Sequence, residues 1–321
     1  MNATNLNRRE FVHCAALGVA ALSSSGFIVQ AGANDPQRRM TADLVCGAIG
    51  VSANQVEAIE LAAKHGFESV GADGSYLAGL SQEQLADLRA NMKGKSLVFG
   101  AANLPLEFRQ DQGRFDEGLK TLPKIASGLQ RAEVTRVSTW LSPCDGKLTY
   151  MQNFRQHATR LKEVATVLRD HDLRLGLEYV GPKTSWSSRK YPFIHTMAEM
   201  KDLIGEIGTG NVGFLLDSWH WYNAGDTAAD VQSLSAKDVI AVDLNDAPAG
   251  IPKEQQVDNR RELPCATGVI DVGVFLSSLN QIGYDGPVRA EPFNQAVNKM
   301  SKDEACAAAA AAIKKAFALI T

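Results

Sequence analysis

The sequence predicts a single (β/α)8 barrel, and three observations support this prediction. The chain has 321 residues, of which 45% are apolar and 21% charged, and α/β barrels commonly take about 250 residues as one domain. Short apolar runs typical of strands alternate with longer segments of helical spacing. The runs are almost continuously apolar, as expected for parallel strands that are covered on both faces.

Eight strand-like runs follow one another along the chain. The predicted strands are residues 44–49, 67–72, 97–102, 136–141, 173–180, 212–216, 239–244 and 287–290. The clearest helical segment has apolar residues every three or four positions from Phe154 to Leu168. Ser301 and Glu304 have the spacing of a capping box ahead of an alanine-rich stretch, which predicts the last barrel helix.

A doubly wound sheet is the alternative fold. It is disfavoured because no Gly-x-Gly-x-x-Gly follows the first strand. No linker rich in Pro, Ser or Gly divides the chain, so residues 34–321 are expected to form one domain. Two long segments after strands, residues 181–195 and 245–267, are expected to be functional loops.

The N-terminal residues 1–33 have the features of an export signal. Arg8 and Arg9 precede Phe11, a mildly apolar run follows, and Ala31-Gly32-Ala33 is a small-x-small cleavage pattern. Paired arginines before a weakly apolar segment resemble the twin-arginine type of bacterial signal. We therefore expect a periplasmic protein without stable membrane insertion after removal of the signal.

Charge and cysteine content exclude several classes of function. The formal net charge is −3, which gives no basic excess to neutralise phosphates and argues against a nucleic-acid partner. The five cysteines form no C-x-x-C pair, so buried free thiols are expected and a cysteine metal site is not. Small-molecule chemistry is the favoured class.

The last four predicted strands end in acidic residues: Glu178, Asp217, Asp243 and Glu291. A single acid in such a place is often only a helix cap. In a (β/α)8 barrel, however, the carboxyl ends of the strands meet at the active-site face. Four carboxylates gathered there repel one another, and a divalent cation is the simplest counter-charge. Arg289 lies on the same side of its strand as Glu291 and is a second source of positive charge.

These strand ends resemble the xylose-isomerase-like barrels, which include sugar isomerases, ketose 3-epimerases, inosose dehydratases and endonuclease IV. The resemblance covers about residues 43–295 and rests mainly on Asp217-x-x-His220 and on the closing motif from Gly283 to Glu291. It implies that Glu178, Asp217, residue 243 and Glu291 hold a metal ion. It also implies that Glu178 and Glu291 exchange a substrate proton and that His220 contacts the substrate.

Two further substrate contacts are expected. The family often places an arginine ahead of its closing glycine turn, and Arg261 is the candidate. Trp219 follows a strand-end acid, and its ring is expected to offer a face to the apolar side of a sugar.

Position 243 departs from the family pattern, because it is Asp where the family usually has His. The predicted ligands are then all carboxylates. Oxygen ligation favours hard cations, so Mn²⁺ or Mg²⁺ is expected in preference to Zn²⁺.

The leading functional hypothesis is a metal-dependent isomerase or epimerase of a sugar or keto-sugar. A lyase or dehydratase that acts on keto-sugars or inososes with the same metal site is the second hypothesis. A non-catalytic sugar-binding barrel is the third, motivated by the residue at position 243 and by export. The endonuclease branch needs additional His ligands that this sequence lacks. Substrate identity and oligomeric state, a homo-oligomer included, stay open.

Replacement of both Arg8 and Arg9 by lysine is expected to stop export, because the twin-arginine route reads the arginine pair rather than its charge. Cell fractionation and N-terminal sequencing of the wild type should find Asn34 as the new N-terminus. Undiminished export of the double-lysine variant would rule out this route.

Overall fold

Eight parallel strands close into a barrel in the computed structural model, which describes residues 38–320. The predicted signal segment, residues 1–33, lies outside the described residues. Each strand pairs with its neighbours in sequence, and β1 pairs with β8 to complete the circle. The strands are β1 (Thr41–Leu44), β2 (Ser69–Ala72), β3 (Val98–Asn103), β4 (Arg136–Trp140), β5 (Arg174–Glu178), β6 (Val212–Asp217), β7 (Val239–Leu244) and β8 (Pro287–Ala290). The predicted (β/α)8 barrel is thus confirmed.

Helices connect the strands and cover the outside of the barrel. They are α1 (Gln55–Lys64), α2 (Gly74–Gly79), α3 (Gln82–Gly94), α4 (Gln112–Arg131), α5 (Tyr150–Arg169), α6 (Lys183–Trp186), α7 (Met197–Ile207), α8 (Ser218–Ala224), α9 (Ala228–Gln232), α10 (Val272–Gln281), α11 (Gln295–Asn298) and α12 (Lys302–Phe317). A short antiparallel pair, Cys144–Asp145 with Tyr191–Pro192, ties the loop after β4 to the loop after β5.

Two helices show how local sequence sets the predicted elements. Helix α5 buries Ala158, Leu161, Ala165 and Leu168, which form the predicted apolar stripe. Helix α12 begins with the predicted capping box, in which Ser301 and Glu304 each accept a hydrogen bond from the other's backbone N–H. Both predictions are confirmed.

The first strand differs from the prediction. The sequence favoured a strand over residues 44–49, whereas β1 ends at Leu44 and Cys46–Ile49 forms a 3₁₀ helix. This helix ends at Gly50, whose φ of 74° is readily adopted only by glycine. Apolar residues of a short buried turn and of a buried strand give the same pattern, so the run alone did not distinguish them. As a consequence, Asp43 lies inside the barrel strand rather than before it.

Strand register places a row of charged residues at one level of the barrel. Asp217 on β6 is the register partner of Asp243 on β7, which is in turn the partner of Arg289 on β8. Arg289 is also the partner of Asp43 on β1. Partners in a parallel pair point to the same face of the sheet, and all four residues are buried. The charged row therefore lies within the wall of the barrel, beneath the carboxyl ends of its strands.

The four cysteines within residues 38–320 are all free and buried, as predicted. Among these residues, no helix is both long enough and apolar enough to cross a bilayer.

His157 should make stability fall as the pH drops. Burial, reinforced by the positive charges of Arg160 and Arg109, lowers the pKa of this histidine to about 4 from 6.5. Between these values the unfolded chain binds a proton that the folded chain does not, so stability is complete above pH 6.5 and declines toward pH 4. The loss attributable to His157 is at most ~3 kcal/mol.

The check is the urea-unfolding free energy from pH 7 to pH 4, with His157→Gln as the comparison. The variant is expected to lose part of the wild type's pH dependence over this interval. A variant with the same pH slope as the wild type would show that His157 titrates normally in the folded protein.

Candidate active site

A cavity of about 760 Å³ lies at the carboxyl ends of the strands. Glu178, His220, Arg261, Arg289 and Glu291 line its inner part. Both loops that were expected to be functional contribute to its wall. The loop after β5 supplies Thr184, Ser185, Ser188 and Arg189, and the loop after β7 supplies Asp258 and Arg261.

The four predicted acids converge at the base of this cavity. Glu178 ends β5, Asp217 ends β6, Asp243 lies near the end of β7, and Glu291 follows β8. One oxygen from each of them can be chosen so that all lie within 4.8 Å of one another. Glu178 and Glu291 line the cavity, whereas Asp217 and Asp243 lie behind it with fully buried side chains. The arrangement is one that a divalent cation can bridge.

Asp217 is held firmly by neutral donors. Its Oδ1 accepts hydrogen bonds from the backbone N–H of Trp219 at 2.6 Å and from the side-chain amide of Asn245 at 2.9 Å. Asp217 is therefore also the N-cap of α8, the simple role considered for a strand-end acid. Hydrogen bonds of this kind also orient the carboxylates that bind metal ions in proteins.

Arg261 is the cation at the centre of the acidic cluster. Its Nη1 lies 2.8 Å from Oδ2 of Asp217 and 3.2 Å from Oε2 of Glu291. Its Nη2 donates to Oδ1 of Asp258 at 2.8 Å. Burial disfavours the charged form of Arg261, but Asp217, Asp258 and Glu291 raise its pKa above the usual value. The predicted placement of Arg261 in the site is what the structure shows.

Arg289 makes the second ion pair of the site, with Asp243. Its Nη2 donates to Oδ2 of Asp243 at 2.8 Å, and its Nε lies 2.5 Å from Oδ1, although outside hydrogen-bond geometry. A longer contact of 3.7 Å links Nη2 to Oε1 of Glu291. Asp243, expected to be a metal ligand, thus has both oxygens against a guanidinium group.

Both carboxyl groups on the cavity wall have raised pKa values. Burial, followed by repulsion from Glu291 and Asp217, raises the pKa of Glu178 well above its usual value. Burial, followed by the charge of Asp243, raises the pKa of Glu291 to about 8 even though Arg289 and Arg261 oppose the shift. Oε1 of Glu178 is buried and has no hydrogen-bond partner among the described residues. The cluster is short of positive charge.

These residues fit a divalent cation. Five carboxylates, the four strand-end acids and Asp258, surround two guanidinium groups, a formal excess of three negative charges. A dication would remove most of this excess and would give the unpartnered oxygen of Glu178 a ligand to bind. The donor set is carboxylate oxygen, with His220 at the edge of the group.

His220 faces the acids with one ring nitrogen. Nδ1 accepts a hydrogen bond from the backbone N–H of Gly181 at 3.2 Å, and Nη2 of Arg261 is a donor group 3.3 Å from Nε2. This nitrogen lies 3.7 Å from Oε1 of Glu178 and 3.9 Å from Oδ2 of Asp217. Burial lowers the pKa of His220, which favours the neutral form. His220 lines the cavity where a substrate contact was expected.

The aromatic residues of the cavity wall differ from the expectation. Trp219 is 0% exposed and does not line the cavity, because its ring packs behind Arg261, whose guanidinium carbon is 5.6 Å from the ring centroid. Trp140 and Phe293, by contrast, are 46% and 40% exposed and both line the cavity. The sequence carried a signal for Trp140, which stands at the end of a predicted strand. Phe293 lies just beyond Glu291.

Asp246 fixes the loop that carries Arg261 and Asp258. Its buried carboxylate accepts hydrogen bonds from the backbone N–H groups of Ala247, Thr267, Gly268 and Ile270, at distances of 2.7 to 3.0 Å. The backbone N–H of Asp246 donates to the carbonyl oxygen of Glu262, and the N–H of Glu262 donates to the carbonyl oxygen of Asp246, both at 2.9 Å. One side chain thus joins the beginning of a long loop to its end, and the loop delivers Arg261 to the site.

A model of the xylose isomerase-like TIM barrel family matches residues 59–316 of this chain. An inosose isomerase of Bacillus velezensis is 22% identical over 257 residues, which are 79% of this chain and 88% of that protein.

Solved structures show the same fold. A xylose isomerase domain protein from Alicyclobacillus acidocaldarius has a TM-score of 0.77 and 30% identity, over 87% of this chain and 99% of that one. An IOLI protein with a bound zinc atom has a TM-score of 0.72 and 20% identity, over 88% of this chain and 99% of that one.

Asp246→Asn should loosen the loop that carries Arg261. An amide has one acceptor oxygen and an NH₂ group, so it cannot accept hydrogen bonds on both sides as the carboxylate does. Two backbone N–H groups would lose their acceptor, at a cost of roughly 2–4 kcal/mol. Urea unfolding and limited proteolysis within residues 247–266 measure the effect.

Glu254→Gln is the control, since it makes the same change at an exposed acid of the same loop. It should behave as the wild type. Equal stability and protease resistance of both variants would show that Asp246 does not organise the loop.

Proposed function

The chain belongs to the xylose isomerase-like TIM barrel family, and we propose that it is a sugar isomerase or epimerase that uses a divalent metal ion. One observation supports this most strongly. Buried Glu178 and partly buried Glu291, both with raised pKa values, line the same cavity within reach of a common cation position. The similarity to an inosose isomerase is consistent with this reaction class.

Glu178, Asp217 and Glu291 are the proposed ligands. They contribute oxygens to the acidic cluster, and Oε1 of Glu178 is buried without a hydrogen-bond partner among the described residues. Because the ligand atoms are carboxylate oxygens, Mn²⁺ or Mg²⁺ is preferred in this proposal over Zn²⁺. A bound ion would polarise a substrate carbonyl and its neighbouring hydroxyl, which acidifies the C–H bond between them.

The chain's own residues would then move the proton. Glu178 and Glu291 come from β5 and β8, so they approach a ligand in the cavity from different strands. One carboxylate removes the proton of the acidified carbon and the other returns one, which is the division of labour that epimerisation requires. Their burial raises basicity relative to an exposed carboxylate.

Neighbouring residues would hold the substrate. His220 lines the cavity, and its Nε2 can form a hydrogen bond with a sugar hydroxyl. Arg261 offers guanidinium donors from the loop after β7. The exposed ring of Trp140 on the opposite wall suits the apolar face of a sugar, the role first expected of Trp219.

Glu291→Gln should abolish proton exchange between substrate and solvent. The amide keeps the shape and one oxygen but cannot act as a base, so exchange should fall by roughly 100-fold or more. The measurement is deuterium incorporation from D₂O into a panel of ketoses and inososes, followed by NMR. Treatment of the wild type with EDTA should stop exchange as well, and Mn²⁺ should restore it.

Asp285→Asn is the control, because it changes an exposed acid at the other end of β8 from acid to amide. It should leave exchange intact. Deuterium incorporation accompanied by formation of an unsaturated product would assign the site to a lyase. Exchange at the wild-type rate in Glu291→Gln would place the base elsewhere, and no exchange with any sugar in the wild type would contradict the proposed reaction and favour a binding protein.

A further inference from the structure

Asp243 and Arg289 form an ion pair within the wall of the barrel. They are register partners on adjacent strands, and Asp243 is 0% exposed. Both oxygens of Asp243 face Nε and Nη2 of Arg289, at 2.5 and 2.8 Å. Asp243 does not line the cavity, whereas Arg289 does. The guanidinium group therefore stands between Asp243 and any ligand in the cavity.

Asp217 is also paired with an arginine, but the two pairs differ in how their arginines are held. Arg261 comes from a loop of 23 residues, 245–267, and contacts Asp217 through a single nitrogen. Arg289 is part of strand β8, and its position is fixed by the barrel register. The position of Arg261 thus depends on the fold of a loop, whereas that of Arg289 depends on the barrel itself. Release of Asp243 would require the side chain of a barrel strand to leave its own cross-strand partner.

Asp43 strengthens the hold on Arg289 from the other side. It is the register partner of Arg289 on β1 and is 2% exposed. Burial raises the pKa of Asp43 to about 6, and the charge of Arg289 acts against this shift. Loss of Arg289 would therefore remove the ion pair of Asp243 and a favourable charge interaction of Asp43.

We propose that Asp243 is the anchor of Arg289 and not a ligand of the divalent ion, so that the metal position has three carboxylate ligands, Glu178, Asp217 and Glu291. The inference rests on the metal site proposed above. It assigns the fourth strand-end acid a positioning role. Arg289 is then a fixed cation on the cavity wall, beside Glu291.

The pair can be removed without changing the charge of the site. The double variant Asp243→Asn with Arg289→Met removes one negative and one positive charge. The replacing side chains are similar in size to the original ones. Because no ligand is lost, Mn²⁺ binding should remain measurable, with its affinity lowered by no more than roughly 10- to 100-fold, the range expected for a change next to the ligands. Calorimetric titration of the purified protein with Mn²⁺ alone measures it.

The matched control removes the neighbouring pair in the same way, by Asp217→Asn with Arg261→Met. This variant loses a proposed ligand and should show no detectable binding heat with Mn²⁺. Circular dichroism establishes that both double variants are folded. If the Asp243/Arg289 variant also loses binding while folded, Asp243 is a ligand and the inference is wrong. Loss of binding in neither double variant would contradict the proposed metal site itself.

A measurement without metal tests the anchor directly. Each single variant leaves one buried charge unpaired, so Asp243→Asn and Arg289→Met should each lower the folded-to-unfolded ratio by roughly tenfold or more, and the double variant should recover part of this loss. Urea unfolding in EDTA gives the three values. If the stability losses of the two single variants simply add in the double variant, Asp243 does not anchor Arg289. This conclusion holds even if the wild type binds no Mn²⁺.

Discussion

The excess of negative charge at the carboxyl ends of β5 to β8 is the constraint on which the site depends. Buried carboxylates this close together raise one another's pKa and destabilise the folded chain unless cations offset them. The protein supplies two guanidinium groups, Arg261 and Arg289, but their charge does not match that of the five surrounding acids. The long loop after β7, closed by Asp246, is a consequence of this need, because it brings one of these cations into the barrel mouth.

The two arginines offset the charge in different ways. Arg289 belongs to the barrel and offsets Asp243 and Asp43 at a level where the strand register fixes every partner. Arg261 belongs to a loop and spreads its charge over Asp217, Asp258 and Glu291. The barrel register sets the position of Arg289, whereas a loop closed by Asp246 sets that of Arg261. In the proposed metal site, this division would separate the pair of Asp243 and Arg289 from the carboxylates that bind the cation.

Much of this arrangement could be predicted from the sequence. The apolar runs predicted the bounds of β7 and β8 as they are observed. Barrel geometry alone predicted that the four strand-end acids lie together, namely Glu178, Asp217, Asp243 and Glu291. The pairing of Asp243 with Arg289 could not be predicted, because it depends on register between strands that are more than 40 residues apart. Asp43 was missed since the first strand was expected to begin at residue 44, whereas it begins at Thr41. The positions of Trp219 and Trp140 depend on how α8 packs against Arg261, and periodicity carries no information about that.

The unequal distribution of cations also orients the site. Arg289 and Arg261 both contact Glu291, so this carboxylate has counter-charges even before any ligand arrives. Glu178 has no arginine contact within the described residues, and its Oε1 lies 3.7 Å from Nε2 of His220. The two carboxyl groups therefore lie in different electrostatic environments. A pair of acids whose environments separate their proton affinities is the usual basis for assigning one as base and the other as acid. In the proposed reaction, this difference would make Glu291, which faces both arginines, the group that accepts a proton and Glu178 the group that gives one.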